Sequence, residues 1–408
     1  MKLPAGNGAF EALRYPDYFW FWSSYFVSNV GSWMQSIAMG WLLFDLTGSP
    51  LYLGLFSSLR MVLLLSFFIL GGILSDRIDR RQAMLWIQFV AAGTALIMAL
   101  LISTDMIRVW HIFVLGAITS TTWAFEQPVR QALLPQLVPR DVLVNALALN
   151  AVTWNGAGLL GPSLVGVFVG TIGIGGCFYA NVISYLAVIG ALLRLHVPSH
   201  VQGQQRDTVI ESLLGGFRYV RREPVIFTFL SVSAIFNIFG RSYVTLLPVY
   251  AKEVLRVGAA GFGFLSAGPG LGTIIGSLTL ASLGRVEAKR GLMTAMLMGF
   301  VAVLCSFAIS RSFAVATGLL IAVGGLSTVF ETLLNTSIQL RVEEAYRGRV
   351  SGFYGLTGGG LRELGGMQAG IVAEWAGAPI AKAAGAGVLA VAGSLFLGTR
   401  QEKSPSRA

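Results

Sequence analysis

Charged residues are scarce in this sequence. Only 12% of the 408 residues are Asp, Glu, Lys or Arg and 55% are hydrophobic, which gives a mean hydropathy of +0.71. Soluble domains carry about 25% charged residues, so this composition excludes an ordinary soluble protein and indicates an integral membrane protein. The net charge of +10 does not require a nucleic acid partner, because in a membrane protein positive charge first reports topology.

Cysteine and histidine are also rare. Cys177 and Cys305 lie in apolar stretches without a CxxC spacing, which favours buried thiols over a disulfide or a metal site. The three histidines form no HExxH pair, and no GxxxxGK[ST] phosphate loop is present. We therefore expect no enzymatic activity, no cofactor and no metal.

Long apolar windows fill most of the chain. A bilayer-spanning helix needs about 20 mainly apolar residues, and twelve such windows occur. We therefore predict an all-α integral membrane protein with twelve transmembrane helices. The windows lie near residues 18–46, 51–75, 83–104, 110–130, 144–170, 176–195, 225–250, 260–283, 291–310, 314–337, 349–376 and 380–398.

One long polar stretch, residues 196–224, separates the first six windows from the last six. Its second part places Val209, Leu213 and Phe217 on one helical face, with arginines nearby, which predicts an interfacial helix. The predicted organisation is a six-helix bundle at 1–195, a cytoplasmic linker at 196–224 and a second six-helix bundle at 225–408.

The two halves echo each other at an offset of about 205 residues. Glu126 in the fourth span corresponds to Glu331 in the tenth, and "GAGLLGPSLVG" in the fifth corresponds to "GGGLRELGGMQAG" in the eleventh. Repeats of this kind are typical of secondary transporters, whose binding site lies at the interface of the repeats. We therefore predict two pseudo-symmetric six-helix bundles.

The distribution of Lys and Arg predicts the orientation. With both termini in the cytoplasm, 21 of the 29 basic residues fall in cytoplasmic segments and five in the opposite loops. We therefore expect a multi-pass protein of the plasma (inner) membrane with both termini cytoplasmic. The five basic residues in the opposite loops are Arg108, Lys252, Arg256, Arg311 and Lys382.

The loop "GGILSDRIDRR", residues 71–81, resembles the signature of the major facilitator superfamily between the second and third spans. Asp79 stands where that family usually has Gly. A second family signature, in the fifth span, is matched by "GPSLVG". The matching loop residues are Gly72, Asp76, Arg77, Arg80 and Arg81, and the matching helix-packing residues are Gly161, Pro162 and Gly166.

The segments "YPDYFWFWSSYFVSNVGSWMQ", "FDLTGSPLYLGL" and "EQPVRQALLPQLVP" are similar to the enterobactin-exporter-like and drug-exporter-like facilitators. The resemblance implies the major facilitator fold and proton-coupled export of a small amphipathic molecule, drug-like or siderophore-like, by alternating access. It also implies that Asp76 helps to latch the two halves. The expected partners are a small-molecule substrate, protons and the lipid bilayer, and we expect a monomer.

Other functions remain open from the sequence. An importer or a lipid-handling facilitator has the same fold. A membrane protein that has lost transport and acts as a sensor or assembly partner has the same composition. Intact acids within the spans favour a working transporter.

Ionisable side chains within the spans are few, and each costs roughly 2.5–3.5 kcal/mol near the bilayer centre. Glu126 and Arg130 are four residues apart on one helix and can pair. Either they form a structural ion pair, or Glu126 takes up a proton and releases Arg130 to another partner. Glu331 is either a relic of the repeat or a second coupling acid.

Arg60 in the second span can face Glu363 in the eleventh, because these spans meet between the halves in the facilitator architecture. Such a pair would serve as a gate. Alternatively, Arg362 and Glu363 satisfy each other or a water-filled cavity. The candidates for proton coupling are thus Glu126 with Arg130, Glu331 and Glu363.

The first span carries no acid between Phe19 and Phe44, so its polar residues are amides. We predict that amides and arginines of the first and seventh spans, with Arg60 and Arg362, line the interface or a central cavity. Aromatic residues, including Trp33, Trp123, Trp154 and Phe236, either line that cavity or serve in packing. The predicted amides and the arginine of spans one and seven are Asn29, Gln35, Asn237 and Arg241.

Overall fold

The computed structural model describes residues 10–75, 79–195, 209–283 and 290–398, and within them the secondary structure is helical, with no strand. The N-terminal half contains α1 Pro16–Thr47, α2 Pro50–Ser75, α3 Arg80–Ser103, α4 Val109–Leu133 and α5 Leu143–Arg194. The remaining helices are α6 Val209–Arg222, α7 Pro224–Ile235, α8 Tyr243–Val249, α9 Ala259–Ser282, α10 Arg290–Ile309, α11 Phe313–Gln339, α12 Arg347–Ala376 and α13 Ala378–Gly398.

Local signals in the sequence set where several helices begin. Pro16 and Pro224 lie in the first turn of α1 and α7, where the missing N–H is not needed and the fixed φ suits a helix. Asp79 caps α3 by accepting a hydrogen bond from the Gln82 N–H at 3.0 Å. Asp79 therefore has a definite task at the position where the facilitator signature usually has Gly.

Two of the spans are not simple helices. Gly173 has φ 76° and ψ 176°, a conformation that only glycine adopts readily, and it divides α5 into spans five and six. Span seven is built from α7 and α8, joined and followed by π-helical turns at Phe236–Gly240 and Tyr250–Val254. π-helical turns of this kind occur frequently at functional sites.

Eight helices in the described part of the chain are long and apolar enough to cross a membrane. The 52-residue α5 supplies two spans, and α1, α4 and α12 pack against these helices as further spans. Large apolar side chains stay exposed on the outside, as a lipid environment requires; examples are Trp86, Ile183, Leu278, Trp375 and Leu395. The described residues therefore form the twelve-helix major facilitator fold.

The first bundle is formed by α1 to α5 and the second by α7 to α13, and they meet mainly where α2 packs on α12 and α5 packs on α9. The backbones approach closely at glycines. A Cβ atom on Gly370 would lie 2.7 Å from the Pro50 carbonyl oxygen, and one on Gly263 would lie 2.3 Å from the Gly166 nitrogen. Only glycine fits at these contacts.

The linker helix α6 packs on the second bundle. Tyr219 of α6 stacks on Tyr346, just before α12, with ring centroids 4.2 Å apart. The Tyr219 hydroxyl also accepts a hydrogen bond from the Glu343 N–H at 3.2 Å. We call the end of the bundles that carries α6 the linker side, and the opposite end, where α1 ends and α2 begins, the far side.

Candidate functional site

An ion pair connects the two bundles near mid-depth. The Arg60 guanidinium of α2 lies 3.4 Å from the Glu363 carboxylate of α12. The Glu363 side chain is 9% exposed and that of Arg60 is 33% exposed. The pair therefore has one buried member and one that opens to the space between the bundles. This is the cross-bundle contact that the sequence offered as one of two alternatives.

A second ion pair lies within the C-terminal bundle. Arg241, which follows the first π-helical turn of span seven, donates to the Glu331 carboxylate of α11 at 2.7 Å. Tyr354 of α12 donates its hydroxyl to the backbone carbonyl of Glu331 at 3.1 Å. Three helices are thus joined at Glu331, and its charge is neutralised by Arg241.

Arg362 is the third arginine of this region. It interacts electrostatically with Glu363 and with the two other cations, Arg241 and Arg60. It is only partly buried. Glu363 is engaged by Arg60, so the predicted alternative, in which Arg362 and Glu363 satisfy each other alone, does not describe this arrangement.

In the N-terminal bundle Glu126 of α4 is held by neutral donors. Its carboxylate accepts a hydrogen bond from Gln88 Nε2 of α3 at 3.4 Å and another from the Tyr25 hydroxyl of α1. Tyr25 and Gln88 are 6% and 1% exposed. The oxygen of the same Gln88 amide group, Oε1, is buried without a hydrogen-bond partner.

The predicted ion pair between Glu126 and Arg130 is not formed in the part of the chain that the structure describes. Arg130 donates instead to Asn150 Oδ1 and to Gln127 Oε1. Its guanidinium also lies 4.8 Å from the centre of the Tyr25 ring. Three neutral groups from α1, α4 and α5 thus hold Arg130 away from the acid, although the two charges still interact electrostatically.

The predicted amides of spans one and seven are buried in this arrangement. Gln35 Oε1 accepts a hydrogen bond from Asn181 Nδ2 at 2.6 Å, between α1 and the second arm of α5, and it is 3% exposed. Asn29 is 7% exposed and Asn237 is 2% exposed. Asn237 donates to the Ser233 carbonyl at 2.9 Å. Of these three amides, Gln35 has its hydrogen-bond partner in another span, whereas Asn237 Oδ1 is buried without a partner among the described residues.

The aromatic residues divide into two groups. Phe236 is fully buried, with its ring centroid 4.8 Å from that of Phe300 and 4.9 Å from that of Phe330, so it belongs to the core of the second bundle. Trp33, Trp123 and Trp154 form a partly exposed cluster, with Trp154 between the other two.

The signature residues act in packing and in capping. Arg80 donates to the Ala132 carbonyl at the end of α4 at 3.1 Å, and Arg81 donates to the Leu192 and Leu193 carbonyls at the end of α5 at 2.7 and 2.8 Å. Gly72 lies in α2, whereas Asp76 and Arg77 lie outside the described residues.

In span five, Gly161 packs on α1, where a Cβ atom would lie 2.8 Å from the Val30 carbonyl oxygen. Pro162 follows within α5. Gly166 packs on α9, with a Cβ position 2.8 Å from the Ala260 carbonyl oxygen. The signature residues of this span thus serve packing both within the first bundle and between the bundles.

On the far side, polar contacts join the bundles. Lys252 of span seven pairs with Asp45 at the end of α1. Glu374 near the end of α12 accepts hydrogen bonds from the Ser49 hydroxyl at 2.6 Å and from the Leu51 N–H at 3.1 Å. Among the described residues, no hydrogen bond or ion pair joins the two bundles on the linker side.

Lys382 corrects the predicted loop assignment. It lies within α13 rather than in a far-side loop, it is 1% exposed, and its Nζ donates to the Ser242 hydroxyl at 2.8 Å. The predicted window 380–398 already contained this residue, and it was counted with the loop because its charge lies at the edge of the window. Ser242 follows Arg241, so Lys382 borders the charged region of span seven.

The chain is similar to known siderophore transporters. It is 24% identical over 265 residues to the staphyloferrin A transporter of Staphylococcus aureus, covering 64% of this chain and 66% of that protein. It is 28% identical over 275 residues to the enterobactin exporter EntS of Shigella boydii, covering 65% of this chain and 63% of the exporter. The matched part thus spans somewhat less than two thirds of each relative.

Solved structures share the fold over nearly the whole length. A bacterial homologue of the human lysosomal transporter Spinster, in an inward-facing and unoccupied conformation, matches with a TM-score of 0.71 and 14% identity, covering 98% of this chain and all of that one. The nucleoside transporter NupG matches with a TM-score of 0.72 and 15% identity over 94% of this chain and 98% of its own. Residues 7–406 match the transmembrane secretion effector family, and the protein therefore belongs to this family of major facilitator membrane proteins.

Proposed function

We propose that this protein is a secondary active transporter that exports a small amphipathic molecule in exchange for protons by alternating access. The relatives named as transporters of enterobactin and staphyloferrin A support export of a siderophore-like molecule. We also propose that both termini face the cytoplasm, because most Lys and Arg residues of the loops then lie on the cytoplasmic side.

The contacts between the bundles support alternating access. Polar contacts and close glycine contacts join the bundles from the far side to mid-depth. With the linker side cytoplasmic, these contacts support a state that is closed toward the outside, and we propose that the substrate enters from the cytoplasm. An exporter must take up its substrate from that state.

The single observation that carries proton exchange is the environment of Glu126. A carboxylate that accepts from Tyr25 and Gln88 is stabilised in its charged form. A protonated carboxyl group can instead donate to Gln88 Oε1, the buried acceptor that has no partner here. The site can therefore satisfy both protonation states, whereas Glu331 is neutralised by Arg241.

The test uses the full chain in liposomes with a pH indicator inside. A pH gradient should drive uptake of metal-free enterobactin, staphyloferrin A or ethidium into vesicles in exchange for protons. Glu126→Gln should abolish this gradient-driven transport but retain exchange of labelled for unlabelled substrate. Substrate exchange does not need the protonation step, so it also reports that the variant is folded.

The matched control is Glu223→Gln, which removes an exposed acid between α6 and α7. It should transport as the native protein does. Native gradient-driven transport in Glu126→Gln would refute the assignment of the proton site. The absence of substrate-dependent proton movement in the native protein for all three compounds would favour a sensor or assembly partner.

A further inference from the structure

We propose that the central region between the bundles selects organic anions, and that Arg362 is the residue that binds the anionic group of the substrate. The inference rests on the proposed function, because it takes the space between the bundles as the substrate path. It adds the charge class of the substrate and a residue that recognises it.

Positive charges outnumber negative charges near mid-depth. Arg60, Arg241 and Arg362 contribute three positive charges, and Glu331 and Glu363 contribute two negative ones. Two of the arginines are used in ion pairs with the two acids. Among these five described groups one cation is in excess, and the nearby Lys382 is bound to Ser242 within the second bundle.

The cation in excess is Arg362. No ion pair or hydrogen bond of its side chain occurs among the described residues. Its adjacent acid, Glu363, is turned to Arg60 of the other bundle. A guanidinium cannot lose its proton in a protein, so Arg362 must keep its charge and be stabilised by water or by an anion.

The charged side chains of this region are partly exposed. The side chains of Arg60, Arg241 and Glu331 are 33%, 30% and 23% exposed, and Arg362 is partly buried next to them. The polar contacts that join the described bundles lie on the far side and at mid-depth, so we take the linker side as the route by which a molecule reaches the exposed parts of these groups. A molecule that enters from there reaches Arg362 before the far-side contacts.

The geometry of the guanidinium suggests the chemical class. Its five N–H donors bind a carboxylate in a bidentate manner, and such charge-assisted hydrogen bonds are about twice as strong as neutral ones. Because Arg60 and Arg241 are already paired with acids, the positive charge that disfavours a cation at this place is that of Arg362. We therefore commit to an organic anion of the carboxylate type as the substrate.

The experiment compares acids with their neutral amides on the purified full chain at constant ionic strength. The pairs are benzoate and benzamide, 2-naphthoate and 2-naphthamide, and 1-pyrenebutyrate and 1-pyrenebutyramide, and binding is measured by calorimetry. At least one anion should bind about 10-fold or more tightly than its amide, the range for a hydrogen bond to a charged group.

Arg362→Gln should remove that preference and leave amide binding within about twofold of the native value. Arg362→Lys should retain part of it, because the charge remains and the fork geometry is lost. Arg347→Gln, an exposed arginine at the start of the same helix, is the matched control and should bind as the native protein does. If Arg362→Gln fails to fold, the acid and amide comparison in the native protein and in Arg362→Lys still decides.

The proposal is overturned if no anion binds, if amides bind as tightly as acids, or if Arg362→Gln keeps the native preference for anions. These results are independent of proton exchange. A protein that passes the liposome test with ethidium but shows no preference for anions would retain the proposed function and lose this inference. A preference for anions without proton exchange would retain this inference and contradict the proposed function.

Discussion

Arg60 in one bundle and Glu363 in the other lie 3.4 Å apart, and they form the ion pair that joins the two halves at mid-depth. Glu363 is the more buried member, so removal of Arg60 leaves an acid without its cation in a poorly solvated place. This asymmetry sets what each substitution should do.

We expect Arg60→Gln and Glu363→Gln each to lower the free energy of unfolding by about 1–3 kcal/mol, the cost of a buried polar group without its partner. The charge exchange, Arg60→Glu with Glu363→Arg, should recover part of the stability and of the transport rate that the single reversals lose. Thermal unfolding in detergent and transport in liposomes measure the two effects. Additive losses in the double variant would show that the two groups do not act as a pair.

The contact of Gly370 with Pro50 and Gly54 predicts a way to hold the far side open. A side chain at Gly370 would overlap backbone atoms of α2, and overpacking costs about 1–3 kcal/mol. Gly370→Val should therefore shift the population away from the closed far side and slow transport by about tenfold.

The measurement is the distance between spin labels at Leu46→Cys and Glu253→Cys, with Cys177 and Cys305 replaced by Ala. The distance should increase in Gly370→Val. Gly355→Val is the control on the same helix, because no atom lies within 4 Å of its Cβ position. An unchanged distance in Gly370→Val would mean that this contact does not control closure.

Removal of the Glu374 carboxylate should open the far side less than Gly370→Val does. This carboxylate accepts from the Leu51 N–H in the first turn of α2, and the loss of such a cap costs about 0.5–2 kcal/mol. Glu374→Ala should widen the same distance less than Gly370→Val, and high salt should reduce the difference from the native protein. Glu344→Ala, an exposed acid on the linker side, should have no effect on the distance.

Replacement of the buried Lys382 by an apolar residue should not lower the stability of the protein. The Lys382 amino group is buried with Ser242 as its hydrogen-bond partner, and an apolar side chain of similar size avoids the desolvation cost of that group, about 1–3 kcal/mol. Lys382→Met should therefore unfold at the native temperature or above it. Ser242→Ala should lower the unfolding temperature, because it leaves the amine without a partner.

The combination of Lys382→Met and Ser242→Ala provides the check. It should be more stable than Ser242→Ala alone, since both members of the hydrogen bond are gone. If Lys382→Met is instead as unstable as Ser242→Ala, the amino group contributes an interaction that the described contacts do not include.

Hydropathy predicted the number of spans and the fold because bilayer thickness fixes how many apolar residues a helix needs. The contact between Arg60 and Glu363 was predicted because spans two and eleven meet between the halves in the superfamily architecture. Local signals did not predict the choice of partners. Glu126 binds Tyr25 and Gln88, which lie about 101 and 38 residues away in sequence, and a helical spacing of four favoured Arg130 instead.

The sequence also did not predict the partners of the amides, whose role at the interface or cavity stays a prediction. A polar residue in an apolar span indicates that it needs a partner, but its sequence does not say whether that partner is a substrate or another helix. For Gln35 the partner is Asn181. Lys382 was counted with the far-side loop because its charge lies at the edge of the predicted window 380–398, although the span begins at Ala378. The chain has glycines at positions 170, 175 and 176 as well as at 173. The sequence therefore did not show which of them breaks α5, and only the backbone conformation places the kink at Gly173.

The hydrogen bonds of Arg81 set an order for biogenesis. Its acceptors at Leu192 and Leu193 are made 111 and 112 residues later, which at about 5–20 residues per second is roughly 5–20 seconds of translation. Arg81 therefore cannot bind these carbonyls until the sixth span has been made. Completion of the N-terminal bundle is for this reason a delayed event in the synthesis of the chain.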